Sequence, residues 1–82
     1  MNFIPDDPEA LLRRKAAAAA LTASGYPTAP STLASLATRG GGPKWRRYGR
    51  YPLYRWADAL DWARSRLSRP VTSTSELDRT AA

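Results

Sequence analysis

The 82-residue chain contains no cysteine and no histidine. The first absence excludes disulfides and thiolate metal sites. The second removes the side chain that most often moves protons near neutral pH and most often ligates metals. Asp and Glu together number only seven, and three of them, Asp6, Asp7 and Glu9, lie near the start of the chain. A centre built on a nucleophile–base pair or a metal cluster therefore lacks its parts, so the chain reads as a non-enzyme that needs no cofactor and no metal. No apolar run reaches the ~18 residues that a membrane-spanning helix requires. The start, Met1-Asn2-Phe3-Ile4-Pro5-Asp6-Asp7, lacks the basic and apolar pattern of a signal peptide. The expectation is a cytoplasmic protein that does not engage a membrane.

What the chain has in quantity is positive charge, with 13 Lys and Arg and a net charge of +6. It is unevenly spread: residues 1–12 carry −3, residues 13–69 carry +10 and residues 70–82 carry −1. So basic a body calls for a polyanionic partner. The competing reading is excess charge carried for solubility, but the cations cluster within predicted elements. The length allows one small domain, in which only ~60% of the unfolded surface is buried.

The densest stretch is residues 44–55, with five cationic and four aromatic side chains. Gly40-Gly41-Gly42-Pro43 precedes it and stops any helix. Two short runs, 44–48 and 51–55, flank Gly49-Arg50, which predicts a β-hairpin with a tight turn. An isolated hairpin is marginal in water, so this one must lean on a body.

That body is predicted to be helical. Residues 12–24 form the first helix, built on an alanine run, with Leu12, Ala16, Ala17, Ala20 and Leu21 on its apolar side and Gly25 at its C-terminal end. Asp6, Asp7 and Glu9 precede it, where acidic groups favour the positive end of a helix. Thr28 is a candidate N-cap for a second helix over residues 29–38, with Leu33, Leu36 and Ala37 as its apolar stripe. A third helix spans residues 56–68, with Trp62 and Leu67 covering the core and Leu53 and Tyr54 bridging to it from the hairpin. Residues 1–11 read as a flexible acidic arm, residues 12–69 as the domain, and residues 70–82 as a disordered polar tail. The fold class is mainly α with a small β-hairpin: a winged helix-turn-helix of helix, helix, two-stranded wing and helix. The aromatics Trp45, Tyr48, Tyr51, Tyr54, Trp56 and Trp62 have two readings, as core or as rings on which bases stack. In so small a protein most read as core, Tyr54 and Trp62 first, while Trp45 and Tyr48 stay open between the two.

The ordered set Leu12-Arg13-Arg14-Lys15-Ala16-Ala17-Ala18, Gly25-Tyr26-Pro27, Pro30-Ser31-Thr32-Leu33, Arg39-Gly40-Gly41-Gly42-Pro43, Tyr48-Gly49-Arg50, and Tyr54 with Asp58 and Trp62 resembles the small excisionases, or recombination directionality factors. It is similar also to the related phage-type regulators that share the winged-helix domain of mercury-resistance regulators. The likeness covers residues 12–67 and has two departures. Ala59 stands where the family often has Leu, and Arg13 and Arg14 stand where it commonly has a Ser or Thr helix cap.

The resemblance implies a sequence-specific double-stranded DNA-binding protein. Ser31, Thr32, Ser35, Thr38 and Arg39 become its major-groove residues, and Lys44, Arg46, Arg47 and Arg50 its wing residues for the minor groove. Arg14 and Lys15 are assigned to phosphates. It further implies a nucleoid-associated architectural protein that binds near an attachment site, bends DNA and promotes excision of a mobile element. Its partners would be an integrase of the tyrosine or serine recombinase class and further copies of itself, bound cooperatively head to tail. The alternatives are a small phage-type transcriptional regulator of the same fold and, from another class, an interaction module that binds no nucleic acid, such as an antitoxin or integrase adaptor.

Overall fold

In a computed structural model that describes residues 4–75, the chain forms three helices and one antiparallel sheet. The order is β1 (Leu11–Arg13), α1 (Arg14–Ala23), α2 (Pro30–Arg39), β2 (Arg46–Tyr48), β3 (Tyr51–Arg55) and α3 (Trp56–Ser65). The first part of the expected arm, residues 1–3, and the end of the expected tail, residues 76–82, lie outside the described residues.

The hairpin forms where its pattern placed it. Tyr48 pairs with Tyr51 across Gly49-Arg50, and the only positive φ in that turn is +62° at Gly49. Glycine first with a negative φ following is the pattern of a type II′ turn, whose twist suits a two-residue hairpin loop. The sheet has three strands, however, in the order β1-β3-β2, and the expectation of a two-stranded wing is corrected. Leu12, expected to open the first helix, instead lies opposite Tyr54, with Leu11 opposite Arg55 and Arg13 opposite Leu53. The free edge of β3 explains this: its unpaired N–H and C=O groups are satisfied by the adjoining segment, which lies extended until Arg13 (φ −71°, ψ 164°).

The extra strand also alters the role of the acidic residues. Three extended residues span ~10 Å, so Asp6, Asp7 and Glu9 are too far back to serve the α1 dipole, and the first turn of α1 contains no acidic residue. Residues 8–10 cap α3 instead. The N–H of Trp56 donates to Ala10 O (2.9 Å) and that of Ala57 to Pro8 O (2.9 Å). These bonds satisfy two of the four donors that a helix start leaves open, and α3 has no side-chain cap. Residues 8–11 are thus built into the body.

Helix α1 ends in a Schellman arrangement. Tyr26 N–H donates to Leu21 O (2.8 Å) and Gly25 N–H to Thr22 O (3.1 Å), with Gly25 at φ +100°. A Cβ at Gly25 would meet nothing within 4 Å, so a substitution there tests the backbone alone. Gly25→Ala is expected to cost about 1–2 kcal/mol, seen as a fall of roughly 4–16 °C in a thermal melt. An unchanged Tm would mean that the turn relaxes. Thr28 does not cap α2; the N-cap is Ala29, with no side-chain bond, and Pro30 opens the helix. Thr28 is committed to the turn: its hydroxyl donates to Tyr26 O (2.8 Å), and its own N–H and C=O both engage the Thr22 hydroxyl (3.1 Å each).

The core consists of two clusters. Ala20 and Leu21 of α1 meet Trp56, Ala59 and Ala63, while Ala17 and Ala18 meet Leu33 of α2 and Tyr54 of β3. Leu12 and Trp62 pack against both. Small side chains along α1 let α2, α3 and the sheet approach it closely, so the alanine run is the packing centre of the domain. Two expectations fail here. Ala16 is exposed and Ala18 takes its place in the core. Leu67 is 62% exposed, because α3 ends at Ser65, short of the predicted Ser68.

Candidate nucleic-acid interface

Residues 10–57 contain nine Lys and Arg and no Asp or Glu. That segment comprises α1, α2 and the whole sheet. The acidic groups Glu9, Asp58 and Asp61 lie instead on the arm and on α3. The fold therefore separates the signs of charge, with a basic side on α1, α2 and the sheet and an acidic region beside the start of α3.

On α2, Leu33 is buried and Ser31, Thr32, Ser35, Thr38 and Arg39 are exposed. Ser31, Ser35 and Thr38 fall at i, i+4 and i+7, one outward row opposite the Leu33 side. The Thr38 hydroxyl turns back to Ala34 O (3.4 Å), whereas the Ser31 and Ser35 hydroxyls make no hydrogen bond among the described residues. Thr32 is set apart: it lines a cleft with Tyr26, Trp62, Arg66 and Leu67, on the flank that faces α3. Arg39 sits at the C-terminal end of the helix.

The hairpin does not present its cations as one group. Side chains alternate across a strand, and Tyr54 is buried against α1 and α2. Pro52 shares that face, and Arg47, opposite Pro52, lies on it too. Arg46 pairs with Leu53 and lies on the other face. Lys44 belongs with Arg46, since the two line a hollow with Leu11, Leu53 and Arg55 on the outer side. Arg50 stands at the turn. The four expected wing residues are thus divided: Arg47 on the helix side, Lys44 and Arg46 on the outer side, Arg50 at the tip.

At the other end of the helix side lies a groove of about 740 Å³, lined by Arg13, Arg14, Lys15, Ala16, Pro30 and Pro52. It runs between the starts of α1 and α2 and the sheet, and three cations converge there. Arg14 is held in place, its Nε donating to the Tyr54 hydroxyl at 3.1 Å. Chemically, the groove suits an anion with an apolar body, as a sugar–phosphate chain has. Arg13 was absent from the expected phosphate contacts; its place beside Arg14 and Lys15 was the available signal.

Arg55 has a different role. Its Nε and Nη2 grip both Glu9 oxygens (2.7 and 2.5 Å), and its Nη1 reaches Asp58 at 3.1 Å. The guanidinium hydrogen bond holds the Glu9 carboxyl below its ordinary value of 4.5, and the same bond raises Arg55. With its folded-state value depressed, Glu9 contributes stability at pH values above 4.5 that is lost as pH falls through the folded-state value. Glu9→Gln is expected to flatten the acid limb of a stability-versus-pH curve below that point and leave duplex binding unchanged. An identical acid limb in the variant would show that the clip contributes nothing. Because Arg55 is neutralised in this way, it adds little to the basic side.

Among the described residues, no group of His, Cys, Asp and Glu is arranged to hold a metal, and no helix is long and apolar enough to cross a membrane. Of the aromatics, Tyr54 and Trp56 are buried and Trp62 is half-buried, with its Nε1 donating to Gly41 O (2.8 Å). That bond ties the Gly-rich break to α3. Trp45, Tyr48 and Tyr51 are exposed. No protein-family model matches the chain, and no curated protein matches it.

Proposed function

We propose that this protein is a sequence-specific double-stranded DNA-binding protein of the winged helix-turn-helix type, with α2 in the major groove and the hairpin as its wing. Acting as an excisionase or recombination directionality factor, it binds near an attachment site, bends the DNA and assists an integrase. The observation that carries the reading is the segregation of charge. An acid-free side combines an outward row of short hydroxyl side chains on α2, Arg47 on the same side of the sheet, and the cationic groove of Arg13, Arg14 and Lys15. Short side chains permit close approach to base edges, and cations around them fix the register on phosphates. Bending a site costs several kcal/mol, so copies bound side by side would share it. A transcriptional role on the same DNA-binding surface is the second reading.

The division of the hairpin supplies the test. In titrations of an attachment-site duplex at several salt concentrations, Arg47→Ala and Arg50→Ala should each weaken binding and lower the log–log salt slope by about 0.9. Arg46→Ala, on the far face, should leave both close to the parent. Equal effects of Arg46 and Arg47 would overturn the orientation, and no effect of any would remove the wing from the interface. A bending assay on the same fragment separates architectural action from simple occupancy.

A further inference from the structure

The proposed duplex interface leaves one side of the sheet without a role. Tyr51, Leu53 and Arg55 alternate onto the face opposite buried Tyr54, and the register adds Tyr48 and Arg46 from β2 and Leu11 and Arg13 from β1. No described element covers this face: Tyr48 is 74% exposed, Leu11 54% and Tyr51 44%. Tyr48 and Tyr51 form a cross-strand pair, and the Arg13 guanidinium lies over the Tyr51 ring, 4.1 Å from its centroid. Behind them, Arg46 and Lys44 border a hollow of about 460 Å³ with Leu11 and Leu53 in its wall. The two acidic groups there, Glu9 and Asp58, are both bound to Arg55. Arg13, Arg46 and Lys44 form no ion pair among the described residues.

We infer that this outer face is a binding platform for single-stranded nucleic acid, with Tyr48 and the Arg13–Tyr51 stack receiving bases and Arg46 and Lys44 meeting phosphates. The ligand must offer two things: regularly spaced negative charge for the unpaired cations, and flat apolar surfaces for ring faces that lie open on a sheet. A single strand offers both, since its bases are free to stack on aromatic rings and guanidinium planes. A duplex offers only the charge, because its base faces are already stacked. An acidic peptide meets the cations and leaves the rings uncovered. The platform faces away from α1 and α2 and shares only Arg13 with the duplex-side groove. Tyr48, Tyr51, Arg46 and Lys44 lie outside that groove, so tests at Tyr48 separate the two readings.

The test uses the full chain and fluorescence anisotropy with a labelled oligo(dT), an abasic oligonucleotide of the same charge, and a duplex. Oligo(dT) should bind, and the abasic strand should bind about tenfold more weakly or worse. Tyr48→Ala should reduce oligo(dT) affinity by about tenfold, Tyr48→Phe should retain it, and neither should change duplex affinity or the thermal melt. Ser35→Asp, which acts on the duplex side, should leave oligo(dT) binding intact. Equal binding of the abasic strand would overturn the inference, as would an unaffected Tyr48→Ala or displacement by polyglutamate of oligo(dT) as readily as of the abasic strand. The abasic comparison uses the unaltered protein, so it decides the matter even if a variant folds poorly.

Discussion

Replacing Tyr54 by alanine is expected to lower the melting temperature by tens of degrees and to leave little cooperative transition above room temperature. Tyr54 is among the largest fully buried side chains, wedged between Ala17 and Ala18 of α1 and Leu33 of α2. It also sits in the central strand of the sheet, opposite Leu12. Of the neighbours around that space, Ala17 and Ala18 carry no side chain long enough to fill it, and Leu33, Leu12 and Trp62 are held by their own helix and strand positions. Truncating a buried aromatic costs about 3–5 kcal/mol, whereas a domain of this size has roughly 4–12 kcal/mol in total. At 4–8 °C per kcal/mol, that loss is a fall of roughly 12–40 °C. Tyr54→Phe keeps the ring and removes only the acceptor for Arg14, so it should cost about 1 kcal/mol. Circular dichroism melts of the two variants decide the point. A Tyr54→Ala variant that melts within a few degrees of the parent would show that the two core clusters hold without it.

The largest expected effect on binding is at Ser35. It lies in the middle of the outward row of α2, exposed and with no partner for its hydroxyl among the described residues, so substitutions there leave the fold alone. An aspartate at that position would set a carboxylate against the electronegative groove of a duplex. Like charges juxtaposed in an interface cost several kcal/mol, and duplex affinity should fall about 100-fold with an unchanged melt. Ser35→Ala removes one small polar group and should change affinity by a factor of a few. Should Ser35→Asp bind the duplex as the parent does, α2 is not the reading helix and the winged-helix reading of this chain fails.

The sequence revealed the local structure better than the assembly. The hairpin over residues 44–55 was legible because Gly49-Arg50 stands between two runs of strand-forming residues, a signal confined to a few neighbours in the chain. Gly25 marked the end of α1 for the same reason. Strand β1 was not legible. Nothing in Leu11-Leu12-Arg13 favours a strand over the first turn of an alanine-rich helix; the decision comes from the open edge of β3, which lies some forty residues further on. The pairing of Glu9 with Arg55 was hidden in the same way, and the acidic residues were read against the nearest helix because sequence proximity was the only guide. For the candidate site, the residue types were visible and their grouping was not. Arg46 and Arg47 are adjacent in the chain and lie on opposite faces of the sheet. The period-two alternation of a strand carries that information, but only once the buried side of the sheet is known.

By itself, the amino-acid sequence determined the chemistry available: abundant arginine, no thiol or imidazole, a helix-forming alanine run and a hairpin turn. These are local or compositional properties, independent of what the chain touches. The tertiary structure decided the rest, namely which alanines are buried, that the hairpin gains a third strand, and which cations share a side with α2. The physical reason is that sheet register and helix packing depend on groups distant in sequence finding each other. The arrangement of surface charge follows from those contacts and cannot be read from residue order alone.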